Sequence, residues 1–355
     1  MILESLSKLE LPATADFHVH LRQDELCDAV VPTIRKGGVN VVYVMPNLIP
    51  PITKVKQCLD YKAKLEALEP KVTFLMSLYL HEDITPETIK EAKESGITGV
   101  KSYPAGVTTN SSSGVVDYEQ FYRVFEEMQN QDLVLNLHGE CPKQLGITVL
   151  NAEEKFLPTL LSIHAKFPKL RIILEHCTSA PAIEAVKQCG PTVVATITAH
   201  HLFLTIDDVV GDAHAFCKPV AKTDTDRTAI LQAAVSNNPK FFLGTDSAPH
   251  PRAAKSSNLK KAAAGVFTQP YATHTVLDAL ERACKEGTLK EEQVTMEVLE
   301  GFLGKHGRKF YGVEESKEKI VLKRKGEKVG DLVEGSVDVV PFRLGEETWS
   351  LTWKT

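Results

Sequence analysis

Eight β-rich runs, each followed by a stretch of helical character, predict an α/β fold of the (β/α)8 TIM barrel type for this chain. Three observations lead there. Most of the runs are near-continuously apolar, which marks strands of a parallel sheet covered by helices. They alternate one for one with helices, which supplies the crossover that each parallel pair needs. No Gly-x-Gly-x-x-Gly follows the first strand, which removes the main signal for an open dinucleotide-binding sheet.

The first run is Ala15-Asp16-Phe17-His18-Val19-His20-Leu21-Arg22. A helix over 24–37 follows from the stripe Leu26, Ala29, Val30, Thr33 and Ile34, stopping at Gly37-Gly38. Val39 to Met45 is β-rich and short enough for a buried strand, ending at Pro46-Asn47. A helix at about 53–69 leads to the strand Val72 to Leu78, then to a helix opened by Thr85-Pro86-Glu87 with proline in its first turn. The alternation continues with strands at 97–103, 133–138, 171–176, 192–198 and 240–245. The helices between and after them fall at about 118–130, 153–167, 180–189, 224–236 and 273–286. After about 288 the character changes to a helix at 296–303 and two alternating segments, 319–323 and 336–342. The expected organisation is a barrel over 1–312 and a small C-terminal β extension over 313–355 packed on it.

Of the 355 residues, 43% are hydrophobic and 25% charged, enough for a large core. The net charge of -5 is spread along most of the chain, so nothing suggests a nucleic-acid surface and an anionic substrate must be attracted locally. Met1 to Ser5 lack a basic-then-apolar signal pattern, and no apolar run approaches the length of a membrane span, so a cytoplasmic protein is expected. The seven cysteines are scattered, odd in number and without Cys-x-x-Cys spacing, which disfavours disulfides and a zinc ribbon.

In a barrel enzyme the chemistry lies at the C-terminal strand ends, so the useful question is which titratable residues fall there. His18, His20 and Arg22 sit two apart and share a face of an extended strand. Lys101 ends the fourth strand, His138 the fifth, His176 the sixth and Asp246 the eighth. Four histidines, a lysine and an aspartate converging on one mouth point to a metal site, with a guanidinium beside it for an anion. His81 and the pair His200-His201 also lie just past strands, so position leaves them open as ligands or substrate contacts.

Asp16-Phe17-His18-Val19-His20-Leu21-Arg22, Met45-Pro46-Asn47, Lys101-Ser102-Tyr103-Pro104, Leu137-His138-Gly139-Glu140, Leu174-Glu175-His176 and Gly244-Thr245-Asp246-Ser247-Ala248-Pro249-His250 closely resemble the dihydroorotases of the amidohydrolase superfamily. The monofunctional form of bacteria and fungi is the best match, from about residue 12 to 312. The resemblance implies reversible, zinc-dependent cyclisation of N-carbamoyl-L-aspartate to L-dihydroorotate in pyrimidine biosynthesis, by a homodimer. It implies that His18, His20 and Asp246 hold one of two Zn2+ ions and His138 and His176 the other. Lys101, carrying carbon dioxide as N6-carboxylysine, is the implied bridge together with a hydroxide, across roughly 3.5–4 Å. Asp246 is then also the catalytic proton carrier. Arg22, Asn47 and His250 resemble the holder of the substrate carboxylate, and Thr108 and Thr109 a lid that closes over it from the Gly106 to Gly114 loop.

Two places depart from the pattern. Cys217-Lys218-Pro219 stands where some members carry an apolar residue before the proline; Lys218 is expected to touch substrate, and the departure changes little if only its backbone does so. The segment after His250 differs in length around 251–261, which bears on the substrate contact assigned to Ala264. Two alternatives compete. Another cyclic-amide hydrolase, hydantoinase-like or allantoinase-like, would keep the metals and change the carboxylate holder, against which Arg22 and Asn47 argue. A metal-free amidohydrolase-like scaffold would lose ligands, against which the intact set argues.

Overall fold

The computed structural model describes residues 6–256, 261–334 and 337–354. The N-terminal pentapeptide, residues 257–260 within the segment of altered length and Ser336 of the expected strand lie outside these. After β1 (Lys8–Pro12) come β2 (Thr14–Val19), β3 (Val39–Val44), β4 (Thr73–Tyr79), β5 (Gly99–Ser102), β6 (Val134–His138), β7 (Ile172–Glu175), β8 (Val193–Ile197) and β9 (Phe241–Leu243). From β2 to β9 they form one eight-stranded parallel sheet in chain order, with helices between them. Its two ends meet just past the strands, where the Asp246 amide donates to the His18 carbonyl and the His20 amide to the Ser247 carbonyl, both at 2.9 Å. The fold is the (β/α)8 barrel.

The barrel strands are short and almost wholly buried, so the helices outside and the side chains inside hold them by packing. An aromatic layer fills the N-terminal end. Phe17 stacks on Tyr311 at 5.1 Å between centroids and meets Phe242 edge-on at 5.3 Å, while Tyr43 lies 5.0 Å from Tyr311. Tyr311 comes from the helix His306–Tyr311, whose Arg308 donates to the Ala13 and Thr14 carbonyls at the foot of β2. Gly307 on that helix is packed so close to Phe17 that any Cβ would collide with the ring. With one end plugged by rings, the polar interior residues are confined to the other.

Some elements differ from expectation for local reasons. The helix expected over 24–37 is α-helical only over Asp24–Val30 and continues as 3-10 turns Val31–Thr33 and Arg35–Gly37, because Pro32 offers no N–H to the ladder. The helix at 296–303 is α over Met296–Glu300 and then a π segment, Gly301–Lys305. Beyond it lie β10 (Lys319–Lys328), β11 (Leu332–Glu334), β12 (Val337–Val339) and β13 (Glu347–Lys354). β1, not foreseen as a strand, pairs antiparallel with β10, and β13 pairs along the other edge of β10. The register Leu9↔Leu322 and Leu11↔Ile320 puts apolar residues opposite one another, and Arg35 stacks at 3.4 Å on Trp353, tying this sheet to the barrel. No helix among the described residues is long and apolar enough to cross a membrane.

Candidate active site

At the C-terminal end of the barrel a cavity of about 330 Å³ is lined by His18, His20, Arg22, Asn47, Thr108, Thr109, His138, His176, Lys218, Asp246 and Ala264. Of the residues singled out from sequence, Lys101 lies completely buried and does not line it, and His250 stands behind Arg22. Two local features aim the strand-end residues. The pairing of β2 with β3 slips between Asp16 and Val19, and His176 and Asp246 adopt left-handed backbone (φ 43 and 51). Non-glycine residues take that conformation only where their surroundings impose it. At His176 it lets consecutive residues, Glu175 and His176, both reach the interior.

His18, His20 and Asp246 form a compact donor set, each offering one atom within 4.8 Å of the others. His18 donates from Nδ1 to Glu175 (2.8 Å), leaving Nε2 3.3 Å from Asp246 Oδ1. His20 donates from Nδ1 to Asn47 Oδ1 (2.8 Å), leaving Nε2 3.0 Å from the same carboxylate oxygen. Burial pushes the His20 pKa down to about 4, so at neutral pH that Nε2 carries a lone pair facing a carboxylate, an arrangement a cation between them resolves. Burial alone would raise the Asp246 pKa, but His18 above all holds it well below the usual carboxylate range. For His18 burial acts downward, yet Glu175 and Asp246 leave its pKa raised.

Beside this set, the His138 and His176 rings meet at 4.6 Å and those of His18 and His176 at 5.1 Å. His138 donates from Nε2 to Glu140 (2.8 Å), which leaves Nδ1 free to bind. Among the described residues, His176 Nδ1 and Lys101 Nζ are buried without a hydrogen-bond partner. Burial drives the Lys101 pKa down to about 8, against the pull of Glu175 and Asp246, so its neutral, nucleophilic amine is within reach. Orphaned buried donors, four imidazoles and a carboxylate at one point fit a metal cofactor.

Next to the donors, Arg22 donates from Nε to the Pro249 carbonyl (2.9 Å) and lies 3.1 Å from His250 Nε2, which is itself 2.9 Å from the Ala264 carbonyl. Burial and the Arg22 charge push His250 down to about 3, so its neutral ring makes one of these bonds at a time. The loop after β5 folds over the cavity. Asn47 donates to the Thr109 carbonyl (3.1 Å), Asn110 to the Asn47 carbonyl (2.9 Å) and Thr109 to the Ala264 carbonyl (3.4 Å). Lys218 reaches this loop with its side chain, donating to the Val107 carbonyl.

Several residues of the site lay unassigned in the sequence. Glu175 accepts from His18, from Thr196 Oγ1 (2.5 Å) and from Asn136 Nδ2 (2.7 Å), and Asn136 in turn bonds Tyr43 and Tyr311 of the aromatic layer. Asp16 accepts from the Thr245 amide (2.7 Å) and hydroxyl (2.6 Å), fixing the turn that presents Asp246. Tyr103 lines the cavity with a hydroxyl that has no partner among the described residues. The signal available was an acid or amide inside an otherwise apolar strand. His81 lies outside this group, beside Asp83 at 3.3 Å.

Residues 70–203 match the family model described as Amidohydrolase. A "Probable dihydroorotase" of Schizosaccharomyces pombe is 53% identical over 98% of this chain and 99% of its own length. The crystal structure of dihydroorotase in complex with 5-fluoroorotic acid from Saccharomyces cerevisiae superposes with a TM-score of 0.91 at 45% identity, covering 98% of this chain and 99% of that one. The dihydroorotase from Campylobacter jejuni gives 0.84 at 31%, covering 98% of both chains.

Proposed function

The chain belongs to the dihydroorotase family of amidohydrolases, and from that premise we propose that its cavity interconverts L-dihydroorotate and N-carbamoyl-L-aspartate with two bound zinc ions. One observation carries the reading: a single cavity holds the donor set His18, His20 and Asp246 together with the guanidinium of Arg22. His18, His20 and Asp246 would hold one zinc, His138 and His176 the other, and Lys101, carboxylated on Nζ, would bridge them. When bound, the zinc pair makes water acidic enough to attack at neutral pH and polarises the carbonyl under attack.

The chain's own residues do the rest. Arg22, Asn47 and His250 take the substrate carboxylate, for which a guanidinium offers paired donors. In ring opening Asp246 accepts the proton of the attacking water and passes it to the departing ring nitrogen. In ring closure the same carboxyl gives that proton back. Thr108 and Thr109 close over the substrate, Ala264 offers its backbone, and Lys218 holds the loop from the opposite wall. In this reading residues up to 312 form the catalytic barrel and 313–355 an extension on it, with β1 contributed by the N-terminal segment. The working form is a cytoplasmic homodimer.

The test is turnover of dihydroorotate by purified protein with a parallel metal count, expected to approach two zinc ions per active chain. Full activity without divalent metal overturns the reading, as does better turnover of hydantoin or allantoin. Lys101→Ala should lose metal and rate together, and short carboxylic acids should restore part of both by replacing the carbamate oxygens.

A further inference from the structure

Past the end of β8 a second group of donors lies outside the cavity residues. His200, His201 and Cys217 are all buried, and each places one donor atom within 4.8 Å of the other two. Thr198 orients His201, its hydroxyl accepting from the His201 amide (3.0 Å) and pairing with Nδ1 (2.8 Å), which turns Nε2 toward Cys217. The Sγ to Nε2 distance is 3.4 Å. Zinc bonds of about 2.3 Å to sulfur and about 2.0–2.1 Å to nitrogen at tetrahedral angles put such ligands roughly 3.5 Å apart. The His200 ring, 4.4 Å from that of His201, is fully buried, and neither of its nitrogens has a hydrogen-bond partner among the described residues. A buried imidazole with both nitrogens idle calls for an unseen partner.

We propose that His200, His201 and Cys217 form a third metal site, structural in character, for a zinc-class cation that prefers thiolate and imidazole. Binding breaks the Cys217 S–H bond, forms a sulfur–metal bond and releases the proton to solvent, while the His201 proton moves from Nε2 to Nδ1, where Thr198 Oγ1 accepts it, and Nε2 exchanges its contact with the Pro219 carbonyl (3.0 Å) for the metal. Two ammonium groups, Lys222 and Lys255, and two carboxylates, Asp246 and Glu140, bear on the cluster. Lys255 is tied to the Phe216, Ala263 and Gly265 carbonyls (2.9, 3.0 and 2.7 Å) and Lys222 to that of Val220 (2.5 Å). No carboxylate belongs to this donor set, so the thiolate is required to offset a dication and the site fills after the one at the mouth. Its consequence is local: a metal here pins the end of β8 to the stretch carrying Lys218, whose ammonium holds the loop over the cavity.

The experiment is cobalt(II) titration of the metal-depleted full-length protein, read by absorption. The expected result is a sulfur-to-cobalt charge-transfer band that develops after the cobalt d–d bands of the mouth, and that Cys217→Ser removes while the d–d bands persist. His200→Asn, which leaves the thiol in place, should also lose the band, and it serves if the serine variant does not fold. A saturated, folded protein without that band, or a band that survives in Cys217→Ser, overturns the site. Neither result bears on dihydroorotate turnover, which tests the mouth separately.

Discussion

Two histidine clusters lie at the same end of the barrel, and they differ in what is bonded to their rings. At the mouth, His18 leans on Glu175, His20 and His18 share Asp246, and His138 leans on Glu140. Past β8, His200 and His201 feel the ammonium groups of Lys222 and Lys255 alongside the carboxylate of Asp246, and within the donor set only the thiol can supply negative charge. Imidazole count alone therefore says little about what a cluster does. Carboxylates behind the rings fix their tautomer, raise their basicity and offset a dication, and under the proposed function one carboxylate, Asp246, would move the proton. The second cluster has the geometry of a ligand set without a proton carrier, which is why a structural metal suits it.

The sharpest way to break this contrast is Asp246→Asn. The amide keeps an oxygen near the metal but cannot carry a proton, so turnover should fall by more than about a hundredfold in both directions, the low end of a general-base contribution. Ring opening uses the carboxylate without its proton and should be lost as pH falls. Ring closure uses the protonated form and should be lost as pH rises. The two profiles belong to the coupled metal, water and aspartate unit, not to one residue. A single profile for both directions, or an asparagine variant above that residual rate, removes Asp246 as carrier.

How legible this was varies by region. The donors His18, His20, His138, His176 and Asp246 were readable because strand ends in a barrel converge, so residue type and strand position alone bring them together. Glu175 was not, because strand alternation sends neighbouring residues to opposite faces. The left-handed backbone at His176 that breaks the alternation leaves no mark in composition. The barrel was readable from its local alternation of strand and helix. The pairing of Lys8 with Lys323 was not, since it joins segments at opposite ends of the chain and no local pattern encodes it. Lys218 shows the same limit for a single side chain: its contact with Val107 exists only once two loops meet.

A smaller effect sharpens the claim that carboxylates, not ring count, set the character of the mouth. Burial alone would raise the Glu175 pKa, but His18 and Lys101 hold it below the usual range, so it sits ionised behind His18. Glu175→Gln keeps the shape and loses the charge. Metal affinity should drop by about 10- to 100-fold, as for other partners of metal-bound histidines, and added zinc should restore most of the rate. Unchanged affinity measured against a competing chelator shows that the rings alone suffice.

An effect of similar size, on substrate and not on metal, should come from Arg22, which stands beside the donors without joining them. Its Nε is committed to the Pro249 carbonyl and one terminal nitrogen faces His250, so the guanidinium is held in place while keeping donors for a ligand. Arg22→Lys keeps the charge and loses both the anchoring bond and the fork. Losing one charge-assisted hydrogen bond, at about 1.5–3 kcal/mol, should raise KM for dihydroorotate roughly 10- to 150-fold. The metal count should not move, because no donor atom of the metal set contacts Arg22. The value of kcat should change less than KM, since the carboxylate is held equally before and during ring opening. An unchanged KM removes Arg22 from the substrate, and a lost metal shows that the anion holder and the metal set are one unit.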